Sequence, residues 1–165
     1  MISAAFFRAD LPRGHCLVTP AWLVQLQQGH VVPAPPGSHW RLFEVGCGAP
    51  LTFQTSHIAG AGYLDTECLE TIPFWNQVDD TLLLQYLLAC GIAHDSTVVL
   101  YGRPAAAAAR AAHLMMVAGV QDVRLLDGGL NAWVSAGQSV VSGEPHRHPP
   151  ATHFGGPFPA HDGRG

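Results

Sequence analysis

The residues with most chemical promise follow the apolar run Thr97-Val98-Val99-Leu100-Tyr101. Gly102, Arg103 and Pro104 make a sharp loop there, and alanines 105 to 109 open a helix. A strand that delivers a tight loop to a helix N-terminus gathers free backbone N–H groups, and the helix dipole favours negative charge. The amides of Gly102, Ala105 and Ala106, with Arg103 beside them, therefore form a candidate anion site. Nucleophilic catalysis at this place would need a cysteine whose thiolate the loop amides stabilise. Gly102 cannot serve, and Tyr101, whose phenol ordinarily ionises near pH ~10, is expected to pack in the strand. The plainer reading is a helix whose N-terminus simply needs satisfying.

The chain has four cysteines, Cys16, Cys47, Cys68 and Cys90, without a CxxC spacing. They read as reduced thiols of a cytosolic protein, mostly buried. Cys47 is the best substitute nucleophile. "EVGCGAP" sets it between glycines just after a strand end, where sites assemble in parallel sheets. Its plainer reading is a small loop residue. Cys90 ends an apolar helix and is expected in the core, and Cys16 and Cys68 carry no positive signal.

Among the other candidates, His57 precedes a turn and is expected to bond nearby backbone. Asp127, before Gly128-Gly129, is expected to cap the next helix, and Trp133 to be core. Glu44 and Asp65 near strand ends could form an acid–base pair, although solvated or capping carboxylates are the simpler reading. His146, His148, His153 and His161 cluster near the C-terminus. Imidazole binds metals, but a structural zinc site takes four ligands, often with cysteine, and no cysteine joins these. Only adventitious metal binding is expected, and no cofactor.

The elements that must position these groups read clearly. "CLVTPAWLVQLQQG" is a short strand and a helix, with Thr19 as cap, Pro20 at the first helical position and Gly29 past the end. "WRLFEVG" is a compact strand ending in the glycine-rich loop "GCGAP", and "SHIAGAGYLDT" a turn with a short strand. "VDDTLLLQYLLACGI" has helical spacing, acids early and Gly91 at its stop. "STVVLYG" is a strand buried on both faces. A helix from about Pro104 to Val117, the strand "DVRLL" and the short helix in "GGLNAWVSAG" follow. Alternating strands and helices predict an α/β fold, with a mainly parallel sheet and helices on both faces.

The 165 residues are 48% hydrophobic and only 12% charged, with a net charge of −4. That composition supports a real core and gives no reason to expect nucleic acid or an anionic membrane as partner. No apolar run reaches the ~20 residues of a membrane span, and no signal peptide is evident at the N-terminus. A soluble, cytoplasmic protein is expected. From residue 142 the chain turns rich in Pro, Gly and His and reads as a linker or unpacked tail. Residues 1–15 read as an extension and 16–141 as the domain.

In order and spacing, "WRLFEVG", "SHIAGAGYLDT", "STVVLYG" and "GVQDVRLLDGGLNAWVSAG" resemble a rhodanese domain, the module of thiosulfate and 3-mercaptopyruvate sulfurtransferases. Ser56-His57-Ile58-Ala59-Gly60-Ala61 matches the family's "GHIPGA" turn. Leu126, Asp127, Gly128, Gly129, Trp133, Ala136 and Gly137 match its "LDGG…W…AG" ending. The resemblance covers about residues 17 to 141. It implies a five-stranded, mostly parallel sheet and a loop cysteine that carries sulfane sulfur as a persulfide. That cysteine maps onto Gly102, and the family's six-residue active loop is absent.

The chain thus looks most similar to the non-catalytic N-terminal copy of tandem sulfurtransferases. The resemblance implies a catalytic rhodanese domain as partner, in cis or in trans, with a small sulfur-containing anion as a further candidate ligand. The alternatives are an active sulfurtransferase that uses Cys47 and a stand-alone interaction module.

Overall fold

The computed structural model describes residues 6–7, 10–71 and 76–160. Its centre is a five-stranded sheet in the order β1 (Leu17–Val18), β7 (Asp122–Leu126), β6 (Thr97–Gly102), β2 (Trp40–Gly46) and β3 (Gly62–Asp65). Every pairing in it is parallel, as expected of strands joined by helical crossovers. A short antiparallel pair, β4 (Glu70–Thr71) with β5 (Asn76–Gln77), lies apart from it.

Strand β6 is buried at all six positions, and its side chains alternate between two cores. Val98 and Leu100 face α3 (Asp80–Ala89) and α4 (Ala105–Ala118), in a cluster with Phe43, Leu87 and Met115. Val99 and Tyr101 face the opposite layer, where Trp22 of α1 (Pro20–Gln27), Phe53 of α2 (Leu51–Thr55) and Trp133 of α5 (Gly129–Ser135) pack. A central strand with covered faces has no polar side, which is why its sequence is an unbroken apolar run.

Local signals place the helix ends. Thr19 accepts the Trp22 N–H at 3.3 Å, and Asp79 accepts the Thr81 N–H at 2.8 Å. Gly119 stops α4 in the left-handed region at φ 113°, where a Cβ would be strained. The short helix α2 has no counterpart in the sequence expectations. Five residues are too few to show a helical period, and Pro50 at its N-cap is the one local sign.

The C-terminal segment departs from its composition. Although it reads as an unpacked tail, residues 141–160 run along the body as a strap. His57 and Val141 exchange backbone hydrogen bonds of 2.8 and 2.9 Å, and His146 N–H reaches Ala61 O at 2.9 Å. Further along, Ala151 bonds Leu88 and His94 bonds Phe154, both at 2.8 Å. Phe154 is 7% exposed and belongs to the core cluster around α4. The strap has no period because it is held by isolated anchors, and between them its backbone polar groups bond to loops and helix ends of the body.

Candidate functional site

Gly102 ends β6 at the C-terminal edge of the sheet, and only Arg103 and Pro104 separate it from α4. The turn is so tight that a Cβ on Gly102 would lie 2.9 Å from Pro104 O, 3.2 Å from Val45 O and 3.3 Å from Ala108 N. All three are backbone atoms, which cannot swing aside as a side chain would. The loop therefore lacks a thiol and also lacks space for one. Helix α4 starts without a side-chain cap or an acid in its first turn. Above it a cleft of about 460 Å³ opens between the 102–105 loop and the Asp127–Asn131 segment.

Arg103 does not present its guanidinium to that cleft as a free cation. Nε donates to Glu44 Oε2 at 3.4 Å, while Nη2 donates to the carbonyls of Thr52, at 3.3 Å, and Ser56. Glu44 is 2% exposed. It is not the solvated carboxylate that the sequence suggests, because its place on the inner face of β2 carries it under α2. Burial pushes its carboxyl above the usual range, and the charge of Arg103 pulls the other way. Glu44 Oε1 is buried without a hydrogen-bond partner among the described residues.

Asp65 is the capping carboxylate of the pair. Its Oδ1 accepts the N–H groups of Gly48, at 2.8 Å, and Glu67, at 2.9 Å. With Glu44 committed to Arg103 and Asp65 to two amides, no acid–base pair is assembled.

Cys47 is exposed on the loop after β2 and lines a pocket of about 140 Å³ with Glu44, Thr52, Tyr63 and Arg103. Its Sγ lies 3.9 Å from Glu67 Oε1. Burial, with Asp65 and Glu44 nearby, pushes the adjacent Tyr63 phenol up to about 12.

Two of the other thiols depart from the expectation of burial: Cys68 is exposed and Cys16 half-buried, because each ends a three-residue 3-10 turn, whereas Cys90, at the end of α3, is half-buried and packs against the core cluster around α4. Burial pushes the Cys90 thiol up to about 11, and burial with Asp65 raises that of Cys68. Burial raises Cys16 as well, helped by the Asp122 carboxylate.

The remaining candidates are structural. Tyr101 is 1% exposed and its hydroxyl accepts the Ile58 N–H at 3.1 Å. His57 stacks on Phe53 with ring centroids 3.8 Å apart, and its Nδ1 lies 2.8 Å from Phe53 O. Trp133 is core and donates to Ser139 O at 2.9 Å. Asp127 does not cap α5, contrary to expectation. The cap is Gly128 at φ 76°, with no side-chain bond, and the Asp127 backbone N–H instead ties the turn to Val18 of β1.

His146 and His148 meet, with ring centroids 4.7 Å apart. His161 lies outside the described residues, and no metal-binding group of three ligands occurs among those described. No helix there is long and apolar enough to cross a membrane.

Comparison with known proteins gives this geometry its family. A model described as "Rhodanese-like domain" matches residues 37–136. Thiosulfate sulfurtransferase YnjE of Escherichia coli (strain K12) is 48% identical over 150 residues, which are 91% of this chain and 34% of that protein. The crystal structure of YnjE matches with a TM-score of 0.88 over 92% of this chain and 36% of that one. The anaerobic ergothioneine biosynthesis enzyme from Chlorobium limicola, solved with trimethyl histidine, is 30% identical with a TM-score of 0.81, covering 88% of this chain and 38% of its own. The chain spans roughly a third of the length of each of these relatives. With its all-parallel sheet and its loop-to-helix turn at the C-terminal edge, this chain belongs to the rhodanese-like domain family.

Proposed function

We propose that this chain is a catalytically silent rhodanese-like domain that acts as the structural or regulatory partner of a catalytic rhodanese domain, in cis or in trans. The observation that carries the proposal is Gly102, at the place where the family resemblance puts the persulfide cysteine, in a turn with no room for a Cβ. Persulfide chemistry needs a thiolate cradled by loop amides and a nearby cation. Here the thiol is absent and the cation is held by Glu44. A sulfur oxyanion at residues 102, 103, 105 and 106 would have to compete with that carboxylate for Arg103.

The partner role draws support from the comparison of lengths. YnjE carries the name thiosulfate sulfurtransferase, and this chain matches 34% of it. The chemistry of a protein built on this plan would then lie outside the matched third. In its partner role the domain shapes the cleft of the catalytic copy and holds it in place.

A second reading, sulfur transfer through Cys47, is favoured by the exposure of that thiol beside Arg103. In it the Cys47 thiolate takes the outer sulfur of thiosulfate as a persulfide and releases sulfite. The carboxylates of Glu44 and Glu67 beside the Cys47 pocket oppose the approach of a dianionic donor.

The test is a thiosulfate and 3-mercaptopyruvate sulfurtransferase assay on the purified chain, with cyanide and dithiothreitol as acceptors and Cys47→Ser alongside. The proposal expects no turnover above buffer for either protein. Turnover that vanishes in Cys47→Ser would establish the second reading instead.

A further inference from the structure

The edge strand β1 is only two residues long and pairs with β7 alone, with Leu17 opposite Leu125. Leu125 packs against the cluster that holds Val123 and Ala112, and register partners share a face, so Leu17 and Leu125 both look toward α4. Helix α4 turns Ala112 and Met116, one helical turn apart, to the same edge. The alanine methyl is too short to reach the edge strand, and an open groove of about 430 Å³ remains between helix and sheet. Its outer wall is the 11–13 segment. That wall is held by Gly14 N–H on Leu11 O at 3.0 Å and by Cys16 N–H on Arg13 O at 2.9 Å.

Val123 and Ala112 are buried and form the floor. Above them Met116 is 44% and Leu11 41% exposed, and Leu17 and Leu125 are half-buried, so all four can touch a molecule in the groove. Arg13 is the one charged residue among the described ones that line it, and it is exposed. No ion pair of the described residues involves Arg13. Asp122, whose charge reaches Cys16, is held by Arg124 and Thr97. Burial and Asp122 raise the Cys16 thiol, so Cys16 adds no charge at neutral pH.

An apolar trough with a single cation at its rim is matched by an anion that carries an apolar tail. We propose that this groove binds a medium-chain organic carboxylate, with its alkyl chain along Leu17, Leu125 and Met116 and its carboxylate at the rim on Arg13. The groove involves neither Gly102 nor Cys47, so it stands apart from the function proposed above.

The probe is octanoate, titrated into the full chain while the methyl signals of Leu17 and Leu125 are followed by NMR. Butyrate keeps the carboxylate and shortens the chain, and octyltrimethylammonium keeps the chain and reverses the charge. The expected result is a saturable shift with octanoate at low millimolar concentration and weaker binding of octyltrimethylammonium. Butyrate should bind at least ~tenfold more weakly, since each fully buried methylene contributes about fourfold.

Arg13→Glu, an exposed change, should weaken octanoate about threefold, the scale of an exposed ion pair, and make octyltrimethylammonium the tighter ligand. Met116→Glu, also exposed, sets a carboxylate beside the alkyl chain and should remove saturable octanoate binding, with both folds checked by thermal melting. Butyrate or octyltrimethylammonium binding as tightly as octanoate, or no saturation at tens of millimolar, would each overturn the proposal. So would octanoate binding that neither variant changes.

Discussion

Two arginines at opposite edges of the same strand pair have opposite fates. Arg103, at the C-terminal edge where the family places its chemistry, is held by Glu44 and by the carbonyls of Thr52 and Ser56. Arg41, at the N-terminal edge of β2, has no carboxylate partner among the described residues and keeps a buried Nε unsatisfied. The difference teaches that a cation's availability is set by what the packed sheet brings beside it: a buried carboxylate faces Arg103 next to the Gly102 loop, whereas no carboxylate among the described residues reaches Arg41.

Four experiments would break or sharpen that contrast. The largest effect is expected from Phe154→Ala, which removes the strap's core anchor and should cost about 3 kcal/mol by denaturant unfolding, the usual scale for a buried phenylalanine. A loss below about 1 kcal/mol would mean that the strap is dispensable and that its place beside Arg41 is not a fixed feature.

Next comes Gly102→Cys, which restores the thiol that the family resemblance expects. The Cβ contacts at 2.9–3.3 Å to backbone predict a destabilisation of about 2 kcal/mol with no sulfurtransferase turnover. Turnover in this variant at unchanged stability would show that the loop is only missing its cysteine.

Arg103→Ala leaves Glu44 buried without its cation and should cost about 1–2 kcal/mol at neutral pH. The sign of the pH dependence follows from the direction of the shift. Burial already holds the Glu44 carboxyl above its unfolded value, so the group's contribution is most favourable at acid pH and falls as pH rises through the folded pKa. The variant should steepen that fall, since the opposing charge is gone. Unfolding curves of the two proteins that stay parallel from pH 4 to 8 would contradict the pairing.

The smallest effect belongs to His148, whose folded pKa of about 4 lies below the unfolded 6.5. Its contribution is fully present above the unfolded value and is lost as pH falls from there toward 4. A shift of that size corresponds to about 3 kcal/mol, and solvent screening at this half-exposed ring reduces it to about 1 kcal/mol. Strap detachment, read from amide exchange at Ala151 and His94, should follow the same window, and His148→Phe should remove the slope.

Much of the fold was legible in the sequence because its signals are local. The boundaries of β2, β6 and β7 follow from apolar runs closed by polar or glycine residues, the start of α1 follows from Thr19, and α3 follows from its helical spacing with acids early. The missing nucleophile at Gly102 was legible for the same reason, since it is a matter of residue type. The site's electrostatics were not. Nothing near Glu44 in sequence announces Arg103, which lies 59 residues on, and a glycine in a loop does not reveal how closely the backbone passes over it. Cys68 and Asp127 misled because burial and capping depend on where a turn points.

The sequence by itself determined the element order, the parallel α/β class and the absence of a thiol at the end of β6, since propensity and periodicity act within a few residues. Only the tertiary structure decided that Pro104 O closes over Gly102, that Glu44 occupies Arg103 while Arg41 has no carboxylate partner among the described residues, and that a proline-rich tail packs on the body. Those outcomes are set by which distant groups the packed sheet brings within a hydrogen bond of one another.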